Sequence, residues 1–213
     1  MSQVHYESIG LERLIALSPI IALVRATVDG FRERSFQPPC DIAPYTYTET
    51  GFRVVRILRG PATIKAGSAL SVTGFDPTAL KCHIDFLSRG LARSPVMESY
   101  EPEHAVAHDP EAELIIFLAR RIFLVRDTAG KLKVKVDMPA RTCPGAMESP
   151  KTMKRVIRLI KAHPAMSRLE IVIGCSPPLP DGADTQISDR LKSMFPGYNS
   201  YSWKMLNISP GSC

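Results

Sequence analysis

The sequence predicts an α+β protein, with a five-stranded β-barrel over roughly its first two-thirds and an αβαβ segment after it. Three observations carry this reading. The stretch 52–72 holds FRVVRILRG, a Pro-containing turn and GSALSV, two strands with a basic face. Residues 131–136 set Leu132, Val134 and Val136 on one side and Lys131, Lys133 and Lys135 on the other, one dry face and one wet. Beyond residue 149 the apolar period changes from two to that of helices.

Ser8 is placed to cap a short helix in which Leu11, Leu14 and Ile15 recur at helical spacing, and Ser18-Pro19 ends it. The run 20–28 is rich in β-branched residues and stops at the turn pair Asp29-Gly30, so it reads as a buried strand. Residues 31–50 contain Pro38, Pro39 and Pro44 without a clean period, a long excursion between strands. In 52–59, Arg53, Arg56 and Arg59 recur every three residues, as on a helix. The short length, the flanking Gly51 and Gly60-Pro61, and the residues Val54, Val55 and Ile57 decide for a strand, and the spacing requires a bulge.

Residues 69–73 alternate Leu70 and Val72 with Ala69, Ser71 and Thr73, and a hairpin is the natural connection. A loop-rich stretch, 76–110, precedes a central strand at 113–118. Strands at 121–126 and 131–136 flank a turn at 127–130. Three prolines and a glycine make 138–150 a linker or surface crossing. Ser149 as cap and Pro150 at the first position open a helix carrying Met153, Val156, Ile157 and Ile160, which His163-Pro164 closes. A strand at 169–173, an amphipathic helix at 184–195 and a last strand at 201–208 complete the chain. The expected organisation is a barrel domain at 1–138, a linker at 139–149, and 150–213 as a small αβαβ domain or an extension of the barrel.

At 213 residues, 45% hydrophobic and 23% charged, the composition is that of an ordinary globular protein. Its apolar runs fall far short of the ~20 residues that span a bilayer. The polar N-terminus MSQVHYESIG predicts no secretory signal, and the expectation is a cytoplasmic protein. Five scattered cysteines without a CxxC pair predict reduced thiols. The net charge of +6 is lopsided: residues 1–148 carry 18 basic and 17 acidic side chains, and 149–213 carry 9 and 4. Such asymmetry points to an anionic partner for the C-terminal segment.

Residues 11–136 resemble the netrin-like, tissue-inhibitor-of-metalloproteinase-like version of the OB fold. The likeness rests on Ile21-Ala-Leu-Val-Arg-Ala, Val54-Val-Arg-Ile-Leu-Arg-Gly60, 67–72 and 113–118. It implies an OB-like barrel that binds ligands on a sheet face and its loops. Inhibitors of that family engage a protease zinc through an N-terminal cysteine. This chain begins Met1-Ser2, so that mechanism does not carry over.

Cys82, His83, His104 and His108 offer thiolate and imidazole ligands for zinc. Pro102 and Pro110 confine any helix there to two turns, and the spacing fits no common zinc module, so no metal or other cofactor is expected. The carboxylates between Ser94 and Ala119 read as a solvated loop, and Cys175 as a structural thiol. The candidate contact residues are basic: Arg53, Arg56 and Arg59 on the strand, and Lys151, Lys154, Arg155, Arg158 and Lys161 on the helix. With no catalytic signature, the expectation is a non-enzymatic binding module for an acidic protein partner, an inhibitor or immunity-type protein being one concrete form. The alternatives are single-stranded nucleic-acid binding through the OB face and the basic helix, and a metal-dependent hydrolase using the Cys/His set.

Overall fold

The computed structural model describes residues 5–36, 45–75, 96–106, 111–126, 132–166, 168–174, 189, 191–196 and 200–206. In chain order these form β1 (His5–Ser8), α1 (Leu11–Leu17), β2 (Ile20–Phe36), β3 (Tyr45–Arg59), β4 (Ala69–Phe75) and β5 (Val96–Ser99). Then come β6 (Glu113–Arg126), β7 (Leu132–Arg141), β8 (Met147–Glu148), α2 (Met153–Ala162), β9 (Arg168–Gly174) and β10 (Ser200–Leu206).

Five strands close a barrel. β2 pairs antiparallel with β3 and with β6, β3 with β4, and β6 with β7. The ring is completed by a parallel bridge from β4 to β7 at Thr73 and Ala140. The Thr73 hydroxyl donates to the Pro139 carbonyl at 3.1 Å beside that bridge. The fold is thus α+β with the expected five-stranded, OB-like barrel. Past the barrel β6 continues, pairing with β7 on one side and in parallel with β9 on the other, and β10 lies parallel to β9. β1 and β5 make a separate parallel pair.

Alternation along β2 divides its side chains between two cores. Ile20, Ala22 and Val24 point into the barrel with Phe52, Val54, Leu70, Val72, Ile116 and Leu118. Ile21 and Leu23 point outward and join Ile115 and Phe117 under α1 and α2, which contribute Leu11, Leu14, Ile15, Val156 and Leu159. A strand covered on both faces needs the unbroken apolar run that β2 has. Burying each of the Val, Leu, Ile and Phe side chains among these contributes about 1.5–3 kcal/mol.

Several sequence expectations change. Asp29-Gly30 does not end β2. The strand runs on to Phe36, and the ladder with β3 skips from Ala26 to Phe31, so the expected turn is an irregularity inside a longer hairpin. Residues 31–36 and 45–50 are therefore paired arms, and 37–44 lie outside the described residues. Gly10, not Ser8, occupies the cap of α1, because Ser8 is held in the β1–β5 pair. The loop-rich reading of 76–110 missed β5. Val134 is 48% exposed rather than dry, since this part of β7 pairs with β6 beyond the barrel's closure. The start of the second helix matches expectation: Ser149 accepts from the Lys151 amide at 3.4 Å, and Pro150 opens a 3₁₀ turn that leads into α2.

The connection from β7 to β8 is fixed by Gly145. Its φ of +77 lies in the left-handed region, and a Cβ there would sit 1.9 Å from the Tyr100 carbonyl oxygen. Only glycine fits both demands. Tyr100 in turn donates its amide to the Pro144 carbonyl at 2.9 Å, which ties the segment after β5 to this turn.

Candidate binding surface

Three arginines three residues apart can share one face of a strand only if the strand carries extra residues, and β3 carries two. Register shifts between Leu23 and Val24 and between Ile21 and Ala22 leave Val55 and Leu58 without partners on β2. Each bulge resets the alternation, so Arg53, Arg56 and Arg59 fall opposite Arg25, Leu23 and Ile21, all facing away from the barrel interior. The inserted Val55 and Leu58 pack against the helix-side core with Met153 and Ile160.

The row extends where sequence reading did not look. Glu49 and Gly51 precede Arg53 on the same face of β3, and Arg32 of β2 lies directly opposite Glu49. Arg34, two residues on, reaches the Glu49 carboxylate at 3.3 Å. Arg25, Arg32, Arg34, Arg53 and Arg56 thus form an exposed arginine ribbon along the outside of β2–β3. Arg25 and Arg53 are direct cross-strand neighbours, an unfavourable like-charge pair that Glu113 moderates by bonding Arg25 at 2.7 Å. Among the described residues no carboxylate pairs with Arg32, Arg53 or Arg56. Beside the ribbon, Thr27, Arg32, Glu49, Gly51, Phe52, Ala69, Leu70 and Ser71 line a shallow cleft of ≈ 250 Å³. On the outer alternation of β3–β4 the register places Glu49, Gly51, Arg53, Ala69, Ser71 and Thr73, with the pair Tyr47 and Phe75 at its far end.

Arg59 has a different task. One terminal nitrogen donates to the carbonyls of Ile15 at 2.7 Å and Ser18 at 3.4 Å, the other to Ile160 at 3.0 Å and to His163. Ile15 and Ile160 lie in the last turns of α1 and α2, and Ser18 and His163 are their C-caps, the places where a helix runs short of backbone donors for its carbonyls. One guanidinium therefore caps both helices and ties them to β3. Burial lowers its pKa below the ordinary arginine value.

Lys151 in the 3₁₀ turn and Lys154, Arg155, Arg158 and Lys161 on α2 are all exposed, with Val156 and Leu159 of the helix buried. Arg155 is paired with Glu103. The structure thus gathers the expected basic residues into two tracts, the strand row and the helix stripe.

Beneath the start of α2 lies a buried acid with no sequence signal beyond its own identity. Glu148 is wholly buried, yet its carboxylate receives the Tyr100 hydroxyl at 2.5 Å and the Glu103 amide at 2.6 Å on one oxygen. The other oxygen receives the Ser149 amide at 3.1 Å and lies 3.0 Å from the Thr152 hydroxyl. Burial, then the hydrogen bond to Glu148 and its charge, push the Tyr100 pKa well above the ordinary tyrosine value. Nearby, burial and to a lesser degree the Glu98 carboxylate push the Cys143 thiol up to about 12.

Both shifts have one sign. The native state keeps these protons at pH values where the unfolded chain releases them, so their stabilisation is complete below pH 9.0, the ordinary thiol value, and declines as pH rises toward 12. Urea midpoints are expected to fall steadily across that range. The Tyr100→Phe/Cys143→Ala double variant is expected to show a shallower decline, and an unchanged slope would contradict the assignment.

Of the Cys/His set, Cys82, His83 and His108 lie outside the described residues, and His104 is exposed. Among the described residues no cluster of three His, Cys, Asp or Glu side chains is placed to hold a metal, and no helix is long and apolar enough to cross a membrane. Comparison of the chain with protein-family models, curated proteins and solved structures finds no match.

Proposed function

We propose that the chain is a binding module whose β2–β3 arginine ribbon docks an acidic protein surface. The observation that carries the reading is the exposed trio Arg32, Arg53 and Arg56, which makes no ion pair among the described residues and shares its face with the like-charged Arg25. An incoming carboxylate relieves that repulsion and satisfies forked donors suited to it. The helix stripe of Lys154, Arg158 and Lys161 adds positive potential that speeds encounter. Inhibition of the partner is one form such docking takes.

Single-stranded nucleic acid is the less supported ligand, because bases stack on aromatic platforms and the outer register of β3–β4 from Glu49 to Arg53 and from Ala69 to Thr73 carries none, aromatic residues standing only at its Tyr47–Phe75 end. Partner capture at physiological salt, read by mass spectrometry, tests the proposal. Wild-type protein is expected to retain a partner with an acidic surface that the Arg53→Glu/Arg56→Glu variant releases. Equal capture by the two proteins would contradict it.

A further inference from the structure

We propose that the open edge of β2 over residues 31–36 takes up an acidic segment as an added β-strand, with alternate carboxylates of that segment facing Arg32 and Arg34. This rests on the reading of the ribbon as a site for an acidic partner, and adds the conformation and pattern of the segment.

β6 accompanies β2 only as far as the Glu113–Arg25 pair. From Phe31 to Phe36 the strand pairs with β3 on one side, and among the described residues no strand pairs with the other. Half of its amide and carbonyl groups therefore point along an edge that no described strand occupies. The segment FRERSF has neither proline nor lysine, the usual guards of such an edge, and residues 31–34 are all exposed. Main-chain pairing there would supply affinity without regard to sequence, and side chains would supply the selection.

The two faces of the edge differ in chemistry. Arg32 and Arg34 stand on the ribbon face, and Arg34 already shares the Glu49 carboxylate. Phe31, 71% exposed, and Glu33 stand on the other. Same-side residues of a strand repeat every ~6.7 Å, so a paired segment meets the two arginines with carboxylates two positions apart. Its intervening residues meet Phe31 and Glu33, which favours an apolar side chain and repels an acidic one. The geometry thus selects acidic–apolar alternation over a run of acids.

The test is fluorescence anisotropy at low salt with an eight-residue peptide alternating Glu with Val and Thr. Two further versions carry N-methyl groups on one or the other alternate set of backbone nitrogens. N-methylation keeps the charge and removes strand donors. One of the two sets is expected to weaken binding by roughly tenfold or more, from the loss of two or three main-chain hydrogen bonds. The Arg32→Glu/Arg34→Glu variant, with its urea midpoint unchanged, is expected to lose binding. Equal affinity for all three peptides would overturn strand addition while leaving the acidic-partner reading intact. Failure of every acidic peptide to bind would overturn both, as would tighter binding of a thymidine oligonucleotide at the same salt.

Discussion

Glu148→Ala is expected to destabilise the fold by about 3–5 kcal/mol, the largest effect of any single substitution considered for this chain. The carboxylate is fully buried and takes hydrogen bonds from Tyr100, Glu103, Ser149 and Thr152. Those donors come from the segment after β5 and from the entry to α2, so one side chain joins two parts of the chain that share no strand pairing among the described residues. Alanine leaves buried donors without acceptors, each costing about 1–3 kcal/mol, and opens a cavity as well. Glu148→Gln keeps the shape and one acceptor, so its loss is expected to be smaller. Urea unfolding followed by far-UV circular dichroism measures both. A loss under about 1 kcal/mol for the alanine variant would mean that water replaces the carboxylate readily.

Arg59→Ala is expected to cost about 2 kcal/mol or more, through loss of charge-assisted hydrogen bonds to four carbonyls. The guanidinium is partly exposed, and solvent moderates the charge component, which keeps the figure near the lower end of what four such bonds suggest. Arg59→Lys retains the charge, but a single ammonium cannot bridge two helix ends as a planar fork does, so an intermediate stability is expected. Amide exchange at the C-terminal turns of α1 and α2 is expected to quicken in both variants. Protection unchanged from wild type would show that the helices are held by their apolar faces alone. Arg53→Glu and Arg56→Glu, on exposed side chains, are expected to leave the urea midpoint nearly where it was. This contrast separates arginines that support the fold from those available to a partner.

Much of the barrel was legible because burial on two faces, or on one, leaves its mark in sequence. The run through Ile20–Val24 and the alternation at 69–73 belong to β2 and β4. The three-residue arginine spacing announced a bulged strand and received two bulges. What stayed hidden depends on register. Arg25, Arg32 and Arg34 join the ribbon only through pairing with β3, across a break at 27–30 that reads locally as a turn. Charge counting was blind to it for a related reason: the near balance of residues 1–148 conceals that Glu98, Glu103 and Glu148 lie toward α1 and α2, away from the ribbon. Arg59 was indistinguishable from Arg53 and Arg56, since its role depends on two helix ends that meet in space at residues 15–18 and 160–163. Glu148, one acid before a Ser-Pro helix start, looked like part of an ordinary cap, because its partners at Tyr100 and Glu103 lie more than 40 residues away in sequence.

The proposed docking takes place on the outer face of β2–β3. Hydrogen exchange with and without the alternating Glu peptide tests that location directly. The expected result is added protection confined to residues 31–36 and 50–56, with the amides of α2 unchanged. Protection on α2 alone, or none anywhere at a peptide concentration that saturates the anisotropy signal, would contradict it.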